Sequence, residues 1–315
     1  MKGVQFKMIK IDVFSHILTQ KYSEKLKSLA PDVSETVEFR RQAMVDLDVR
    51  KEFMERHPGV LQILTMGNVP LERYVSVKDA IELAKIGNED MAELVTKKQS
   101  MFYGAVGTIP IEDVDASLDI IDYCVKDLGL LGIQLFTTLE RESLAEPKYR
   151  PIFARMAELD RAIWVHPSGT VYGPGKDTIF TWPYESSRFM LDVVKAGIFA
   201  EYPDLKIIIH HAGGMVPHYR ERIRTFMPKH DEKYFNYFYT DTALYGNTAG
   251  LMSAFDFYGA DHIMFGTDAP LGGTLLGCSG CTNETIIAIE KMDISDKDKE
   301  KIFYGNAVRL FTRPV

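Results

Sequence analysis

The chain has little cysteine, no long apolar run and no excess of positive charge. Its 315 residues include three cysteines (Cys124, Cys278 and Cys281), too few for a disulfide framework, so we expect a reducing, cytoplasmic environment. No run of about 18 apolar residues occurs, and the first residues lack a signal-peptide core, so we expect no membrane span. The net charge of −7 predicts no nucleic-acid partner.

Motifs for nucleotide binding and for serine nucleophiles are also missing. We find no glycine-rich phosphate loop and no nucleophile elbow. The segment Cys278-Ser279-Gly280-Cys281 has the spacing of a redox pair, but no second pair completes a zinc site, so we interpret it as a plain loop. Apolar residues make up 46% of the chain, which is enough for a large core and excludes a disordered protein.

Apolar, β-branched segments alternate with amphipathic segments along the chain, which is typical of βα units and a parallel sheet. We predict an α/β fold with eight strands, the number that a closed (β/α)8 TIM barrel needs. These strands are expected near residues 8–13, 60–65, 102–108, 131–137, 162–166, 206–211, 238–243 and 263–267. Helices are expected near residues 79–98, 113–127, 150–160, 186–201, 217–227 and 284–292, with Asp79 as the N-cap of the first. A closing helical layer is expected over residues 297–311.

Two segments depart from the minimal repeat and make the predicted barrel a distorted one. Residues 18–58 are rich in charge and helix formers, and we expect a helical insertion after the first strand, on the active-site face. Residues 167–185 combine Gly, Pro and aromatic residues, so we expect an irregular loop that forms a lid or pocket wall. With no linker or internal repeat, residues 1–315 are interpreted as a single domain.

Three histidines and one aspartate each follow an apolar, strand-like run: His16, His166, His211 and Asp268. Because a β/α barrel gathers the carboxyl ends of its strands on one face, we expect these side chains to converge. Imidazoles and carboxylates are the usual ligands of a catalytic divalent metal. A carboxylate after a buried run needs a partner, so we expect Asp268 to ligate the metal or to act as a catalytic residue that takes a proton from a bound water. The pattern predicts a metal-dependent enzyme.

The sixth predicted strand ends in two histidines, His210 and His211. Adjacent strand residues point to opposite faces, so we expect one of them to face the barrel interior and mouth. His211 lies nearer the mouth, where an imidazole can serve as general acid or base. His210 is expected to pack between the barrel and a helix.

Other candidates concern the substrate. Arg222, on the helix after His211, has a guanidinium that can hold a carboxylate. Considered without its neighbours, it would be interpreted as a solvent-exposed charge on a helix. Aromatic side chains near the predicted strand ends are candidate pocket walls: Phe14, Trp164, Trp182 and Tyr184. The predicted partner is a small carboxylic acid.

Several motifs then point to a family. They are His166-Pro167, the segments 182–185 and 202–214, Phe265-Gly266-Thr267-Asp268, and Tyr304-Gly305-Asn306-Ala307. Over nearly its whole length the chain resembles the amidohydrolase-related decarboxylases of the aminocarboxymuconate-semialdehyde and γ-resorcylate type. The resemblance implies a distorted barrel with one divalent metal, Zn or Mn, held by His16, His166 and Asp268.

The same resemblance implies roles for two further residues. His211 would be the acid–base residue beside the metal, and Arg222 would bind the substrate carboxylate, sometimes in a partner subunit. Homodimers are common in the family, so the resemblance also implies a homodimer.

One departure from the family concerns the first strand. The family has His-x-His or Glu-x-His there, whereas this chain has Phe14-Ser15-His16, and phenylalanine cannot ligate a metal. Three interpretations stay open: His16, His166 and Asp268 hold the metal with extra waters, a loop residue substitutes, or the metal has been lost.

The leading functional hypothesis is a non-oxidative carbon–carbon lyase that decarboxylates an aromatic or enoic acid. The alternative is a metal-dependent hydrolase of a lactone, ester or amide, or a hydratase, because the same ligands would activate water. A third hypothesis, which Phe14 supports because it cannot ligate a metal, is a non-catalytic barrel that has lost its metal and binds an acid or serves as a scaffold.

Overall fold

The computed structural model describes residues 9–67, 70–139, 142–169, 178–271 and 282–311. Within them, eight parallel strands form the centre of the molecule, in two sheets of order β1-β2-β3 and β4-β5-β6-β7-β8. The strands are β1 (Lys10–Ile17), β2 (Val60–Met66), β3 (Phe102–Ala105), β4 (Gly132–Phe136), β5 (Ala162–His166), β6 (Ile207–Ile209), β7 (Tyr239–Asp241) and β8 (Ile263–Met264). A two-residue antiparallel hairpin, Thr138–Leu139 with Glu142–Ser143, follows β4.

The two sheets meet at both edges through single parallel bridges. Gly107 pairs with Ile133 between β3 and β4, and Ser15 pairs with Ala269 between β1 and the segment after β8. At the second seam the amide of Asp268 donates to the carbonyl of Phe14 (3.0 Å). The eight strands therefore follow one another around a closed but irregular ring, which confirms the predicted distorted barrel.

Helices surround the strands. The α-helical segments are Gln20–Leu29, Val37–Arg40, Gln42–Val45, Leu47–Glu55, Val77–Lys97, Val114–Asp122, Arg150–Glu158, Thr181–Lys195, Ile198–Glu201, His210–Gly213, Arg220–Phe226, Lys229–Glu232, Thr248–Tyr258, Thr282–Glu290, Asp296–Glu300 and Asn306–Leu310. Short 3-10 segments lie at Pro31–Glu35, Leu71–Arg73, Pro147–Tyr149, Lys233–Tyr237 and Ala260–His262, and π-helical turns at Tyr123–Asp127 and Lys301–Gly305. None of the helices described here is both long and apolar enough to cross a bilayer.

The segment between β1 and β2 is helical, as predicted. One of its side chains, Arg50, is fully buried and reaches back to β1, where it donates to the carbonyl of His16 and to Ser15 Oγ (2.7 Å each). The segment is thus fastened to the strand that carries a candidate ligand.

Two local predictions were wrong. The predicted loop 167–185 ends earlier, because a helix begins at Thr181. Pro183 is tolerated there since the first-turn amides of a helix have no intrahelical partner. The N-cap of helix Val77–Lys97 is Ser76, whose Oγ accepts from the amide of Asp79, whereas Asp79 lies in the first turn and accepts from Ser76 Oγ. The rest of that loop, residues 170–177, and both Cys278 and Cys281 lie outside the described residues.

Large side chains fill the barrel interior below the strand ends. Trp164 is fully buried, donates from Nε1 to the carbonyl of Val13 (3.0 Å), and packs against Phe311 with ring centres 4.8 Å apart. Tyr103 also donates to the carbonyl of Phe311 (2.9 Å). The C-terminal segment therefore closes the bottom of the barrel, as predicted, and Trp164 belongs to the core rather than to a pocket wall.

Candidate active site

The carboxyl ends of four strands bring together the four side chains predicted from the sequence. His16 Nε2 lies 3.2 Å from Asp268 Oδ1, and His211 Nε2 lies 3.8 Å from Asp268 Oδ2. The ring centre of His166 is 5.3 Å from that of His16 and 5.8 Å from that of His211. All four side chains are buried, so they form one compact polar cluster at the barrel mouth.

The backbone after β6 explains how two adjacent histidines reach this cluster. The strand ends at Ile209, and His211 and Ala212 then adopt left-handed conformations (φ 58° and 55°). Left-handed backbone is costly for residues with a side chain and is found at functional sites. At Gly213, also left-handed, an added Cβ would lie 2.0 Å from Tyr258 Oη, so the turn requires glycine.

The expected location of His210 was therefore wrong. His210 faces the same cluster as His211, with its ring centre 5.8 Å from that of His166. The alternation of strand side chains does not apply beyond Ile209, because the backbone leaves the extended conformation there.

Hydrogen bonds at Nδ1 orient the two candidate histidine ligands. His166 Nδ1 lies 2.7 Å from the carbonyl of Pro167, which can only accept, so Nδ1 donates and Nε2 keeps its lone pair. His16 Nδ1 lies 2.9 Å from Thr65 Oγ1, which itself contacts the carbonyl of Ser15. Such outer contacts are typical of metal-bound histidines.

The donor set fits a divalent cation. His16 Nε2, His166 Nε2 and Asp268 Oδ1 are buried, and apart from the 3.2 Å contact between His16 Nε2 and Asp268 Oδ1 they have no polar partner in the described residues. Ligands about 2.1 Å from one tetrahedral ion are roughly 3.4 Å apart, close to the 3.2 Å between His16 Nε2 and Asp268 Oδ1. No group of three or more acidic, histidine or cysteine side chains among the described residues is already arranged to hold a metal ion, so binding would require these side chains to move together.

Electrostatics favour the protonation states that a cation needs. Burial, together with the neighbouring His16 and His211, lowers the pKa of His166 well below its ordinary value, which keeps that imidazole neutral. Burial alone would raise the pKa of Asp268, but the imidazoles of His16 and His211 outweigh it and lower that pKa below its usual range. Burial likewise opposes protonation of His211, but Asp268 outweighs it and raises the pKa of His211.

Phe14 lies in the middle of the cluster. It is fully buried, with its ring centre 4.7 Å from that of His16, 5.5 Å from His211 and 5.7 Å from His166. It stacks on His210 with ring centres 3.5 Å apart and an interplanar angle of 15°. A hydrocarbon ring therefore lies among the imidazoles.

The other predicted substrate residues separate into two places. Trp182 packs edge-on against His166 (5.1 Å) and lies 5.9 Å from His211, so it forms a wall of the cluster. Tyr184 and Arg222 instead line a groove with Leu191, Met215 and Tyr219, and the Arg222 guanidinium lies over the ring of Phe226 (5.1 Å). This groove is distinct from the histidine cluster.

Sequence reasoning missed several residues that contact the cluster. Tyr245 Oη donates to Asp268 Oδ2 (2.8 Å), and Asp241 Oδ2 lies 2.6 Å from His210 Nδ1. Asp12 accepts from the amides of Phe14 (3.1 Å) and Thr267 (3.0 Å), and so ties β1 to the segment before Asp268. Asp241 is the last residue of a short strand, and a polar residue at a strand end is the sequence signal by which it could have been predicted. Tyr245 and Arg50 lie in segments without such a signal.

Glu185 lies in the motif segment 182–185, but no role was predicted for it from the sequence. It is buried and accepts from the amide of Gly169 (2.8 Å), from Ser168 Oγ (3.2 Å) and from Thr137 Oγ1 (3.1 Å). It thereby fixes the segment that follows His166.

A parallel β/α barrel with histidines and an aspartate at its strand ends is typical of metal-dependent enzymes of the hydrolase-like barrel class. The chain belongs to the amidohydrolase family, because the family model described as "Amidohydrolase" matches residues 64–313.

Similar proteins indicate which reactions are found within this family. A γ-resorcylate decarboxylase of Polaromonas sp. JS666 is 27% identical in an alignment 332 positions long that covers 96% of this chain and 98% of that protein. A 2-keto-4-carboxy-3-hexenedioate hydratase of Sphingobium sp. SYK-6 is 26% identical over 250 residues, covering 74% and 72%. The predicted resemblance to this decarboxylase family is confirmed.

Solved structures that resemble this chain include decarboxylases as well. A 2,6-dihydroxybenzoate decarboxylase in complex with 2,6-dihydroxybenzoate matches with a TM-score of 0.79 and 25% identity, covering 97% of this chain and 99% of that one. A dihydroxybenzoic acid decarboxylase from Polaromonas sp. JS666 with bound manganese and 2-nitroresorcinol matches with a TM-score of 0.79 and 24% identity, covering 97% of each chain. The chain therefore shares its fold with decarboxylases, one of which was solved with bound manganese.

Proposed function

We propose that the chain is a metal-dependent, non-oxidative decarboxylase of an aromatic carboxylic acid. In this proposal His16, His166 and Asp268 hold one divalent cation, Zn²⁺ or Mn²⁺. The observation that carries the proposal is a set of three buried ligand atoms next to His211 whose one polar contact within the described residues is that between His16 Nε2 and Asp268 Oδ1. When bound, such a cation polarises a substrate oxygen close to the carboxylate that leaves.

His211 is the proposed proton donor. Its Nε2 faces Asp268 Oδ2 at 3.8 Å, and this carboxylate favours the protonated imidazole. The bond between the ring carbon and the carboxylate breaks, its electron pair stays on the carbon, and the proton from His211 Nε2 forms the new C–H bond. Carbon dioxide leaves, no oxidant is needed, and His211 regains a proton from water.

The surroundings of the cluster suit an aromatic acid. Phe14 and Trp182 supply apolar walls, and an apolar site disfavours a carboxylate and so favours its loss. The similar γ-resorcylate and 2,6-dihydroxybenzoate decarboxylases are named for a hydroxylated benzoate, which has an oxygen next to the carboxylate for a cation to polarise.

We also propose that the chain is a single domain that acts as a cytoplasmic homodimer. The continuous ring of strands and the contact of Arg50 with β1 support one domain, with residues 18–58 on the active-site face. The groove of Tyr184, Tyr219 and Arg222 supports the homodimer, in which Arg222 would bind an acidic group of substrate in the partner's site. Light scattering after gel filtration measures the molecular mass in solution and so tests the homodimer.

The reaction is tested with metal-free protein reconstituted separately with Mn²⁺ or Zn²⁺ and incubated with 2,6-dihydroxybenzoate. The proposal expects carbon dioxide, resorcinol and, in D2O, one deuterium at the vacated carbon. His211→Gln should lose at least about 100-fold in turnover, the usual contribution of a general acid. His230→Gln, at an exposed histidine on helix Lys229–Glu232, is the control. Full turnover in His211→Gln would refute this role.

Hydration of an enoic acid is the second candidate, and the similar hydratase favours it. The two reactions differ in mass balance, because a hydratase adds the mass of water to its substrate and releases no carbon dioxide. Mass spectrometry of the products of an enoic diacid and of 2,6-dihydroxybenzoate separates them.

A further inference from the structure

His210 is a fully buried histidine whose Nε2 has no hydrogen-bond partner among the described residues. Buried polar atoms in folded proteins are almost always paired, so this nitrogen calls for an explanation. Neither the proton transfer assigned to His211 nor the three proposed metal ligands uses it.

The other ring nitrogen of His210 is held by Asp241. Nδ1 lies 2.6 Å from Asp241 Oδ2, while Asp241 Oδ1 accepts from the amides of His211 (3.1 Å) and Ala243 (2.9 Å). A carboxylate that accepts these bonds makes Nδ1 the protonated nitrogen, which leaves a lone pair on Nε2. A carboxylate behind the imidazole is the arrangement that orients metal-bound histidines.

The ring of His210 lies at ligand spacing from the proposed cation site. Two imidazoles bound to one ion at about 2.1 Å have ring centres roughly 4.5–6.5 Å apart. The separations of 5.3 Å between His16 and His166 and of 5.8 Å between His166 and His210 both fall in this range. His211 is equally near His166, but its imidazole is not backed by Asp241, and its Nε2 faces Asp268.

Phe14 gives His210 a fixed position. The two rings are parallel at 3.5 Å, so Phe14 supports one face of the imidazole while contributing no ligand itself. The chain thus has an apolar ring and an additional buried imidazole side by side within the cluster.

We propose that His210 Nε2 is a ligand of the cation, together with His16, His166 and Asp268, and that it supplies the donor that Phe14 cannot. The inference rests on the proposed metal site. It predicts a centre with three imidazoles and one carboxylate, in which Asp241 is the outer partner of one imidazole.

X-ray absorption spectroscopy of the full-length protein loaded with Zn²⁺ counts the imidazoles without any assay of activity. Three imidazoles per zinc are expected. Two imidazoles would overturn the role of His210 and leave the proposed function standing. Failure to bind zinc at all would overturn both.

Metal affinity, measured by competition with a chromogenic chelator, gives a second test. His210→Gln should weaken zinc binding by at least about tenfold, since even loss of an outer partner typically costs that much. Phe14→His in the same chain should restore the affinity, because residue 14 lies among the same imidazoles. His262→Gln, at a histidine that contacts the carbonyl of Phe238 outside the cluster, is the matched control. Unchanged affinity in His210→Gln would overturn the inference.

Discussion

Asp268→Asn is the substitution that probes the proposed centre with the least disturbance. Asp268 has a left-handed backbone (φ 63°), a conformation that asparagine adopts at least as readily as aspartate. The amide is isosteric with the carboxylate, and its oxygen can still accept the hydrogen bond from Tyr245 Oη. The change therefore removes the negative charge beside His16 and His211 while preserving the fold.

The expected magnitude follows from the contacts. Asp268 Oδ1 lies 3.2 Å from His16 Nε2 and is the one carboxylate in the proposed donor set. Loss of an outer partner of a metal site costs about 10–100-fold in affinity, so loss of this ligand should cost about 100-fold or more. A tenfold change is about 1.4 kcal/mol, so 100-fold is about 2.7 kcal/mol of binding free energy.

Thermal unfolding with and without Zn²⁺ reports this loss independently of turnover. At a free zinc concentration 100 times the wild-type Kd, binding stabilises the native state by about 2.7 kcal/mol, which for a chain of this size raises the Tm by about 5 °C. For Asp268→Asn the rise should be below about 1 °C, and turnover should vanish. Asp261→Asn, at an exposed carboxylate paired with Lys301, is the control. A wild-type Tm rise and near-wild-type turnover in Asp268→Asn would show that the reasoning is wrong.

Three further substitutions test residues that contact Asp268 or the strand that carries His16. Tyr245→Phe removes the hydrogen bond to Asp268 and should weaken zinc binding about tenfold by chelator competition. Arg50→Met leaves the buried acceptors of His16 and its neighbours unpaired and should lower the free energy of unfolding by about 3 kcal/mol or more in urea titrations. Burial raises the pKa of Asp12 to about 7, even though hydrogen bonds from Thr267 and Phe14 lower it. The folded protein therefore favours the protonated form of Asp12, and this stabilisation is lost as the pH rises through the raised pKa. The free energy of unfolding of the wild type, measured relative to that of Asp12→Asn, should fall between pH 4 and pH 7 by at most on the order of 4 kcal/mol.

Each of these has its own control. Tyr219→Phe, at an exposed tyrosine, should leave zinc affinity unchanged, and an equal effect of the two tyrosine variants would count against a role for Tyr245. Lys51→Met, at the exposed neighbour of Arg50, should be nearly neutral. A stability difference between wild type and Asp12→Asn that stays constant with pH would contradict the raised pKa of Asp12.

Much of the fold follows from the alternation of apolar and amphipathic segments, since all eight predicted strands are present. The first two observed strands, Lys10–Ile17 and Val60–Met66, are slightly longer than predicted, whereas five of the later strands are shorter, as at Ile207–Ile209, because the chain turns into the site soon after pairing. The convergence of His16, His166 and Asp268 could be predicted because each follows a predicted strand, and a parallel barrel puts the carboxyl ends of its strands on one face.

The failures arise where the backbone leaves regular structure or where partners are remote in the sequence. His210 was misplaced because the alternation rule assumes an extended backbone, which ends at Ile209. Arg50 and Tyr245 reach the site from other segments, and no periodic pattern reveals such contacts. Arg222 lies in the neighbouring groove with Tyr184, and its role stays a prediction.

The central claim is that this barrel holds a divalent cation at His16, His166 and Asp268. Elemental analysis of protein purified without chelators, quantified per chain, tests it most directly. The account predicts about one Zn or Mn per chain in wild type and a nearly complete loss in Asp268→Asn. A wild-type protein that contains no metal, and takes up none on reconstitution, would contradict the account and favour a binding barrel without metal chemistry.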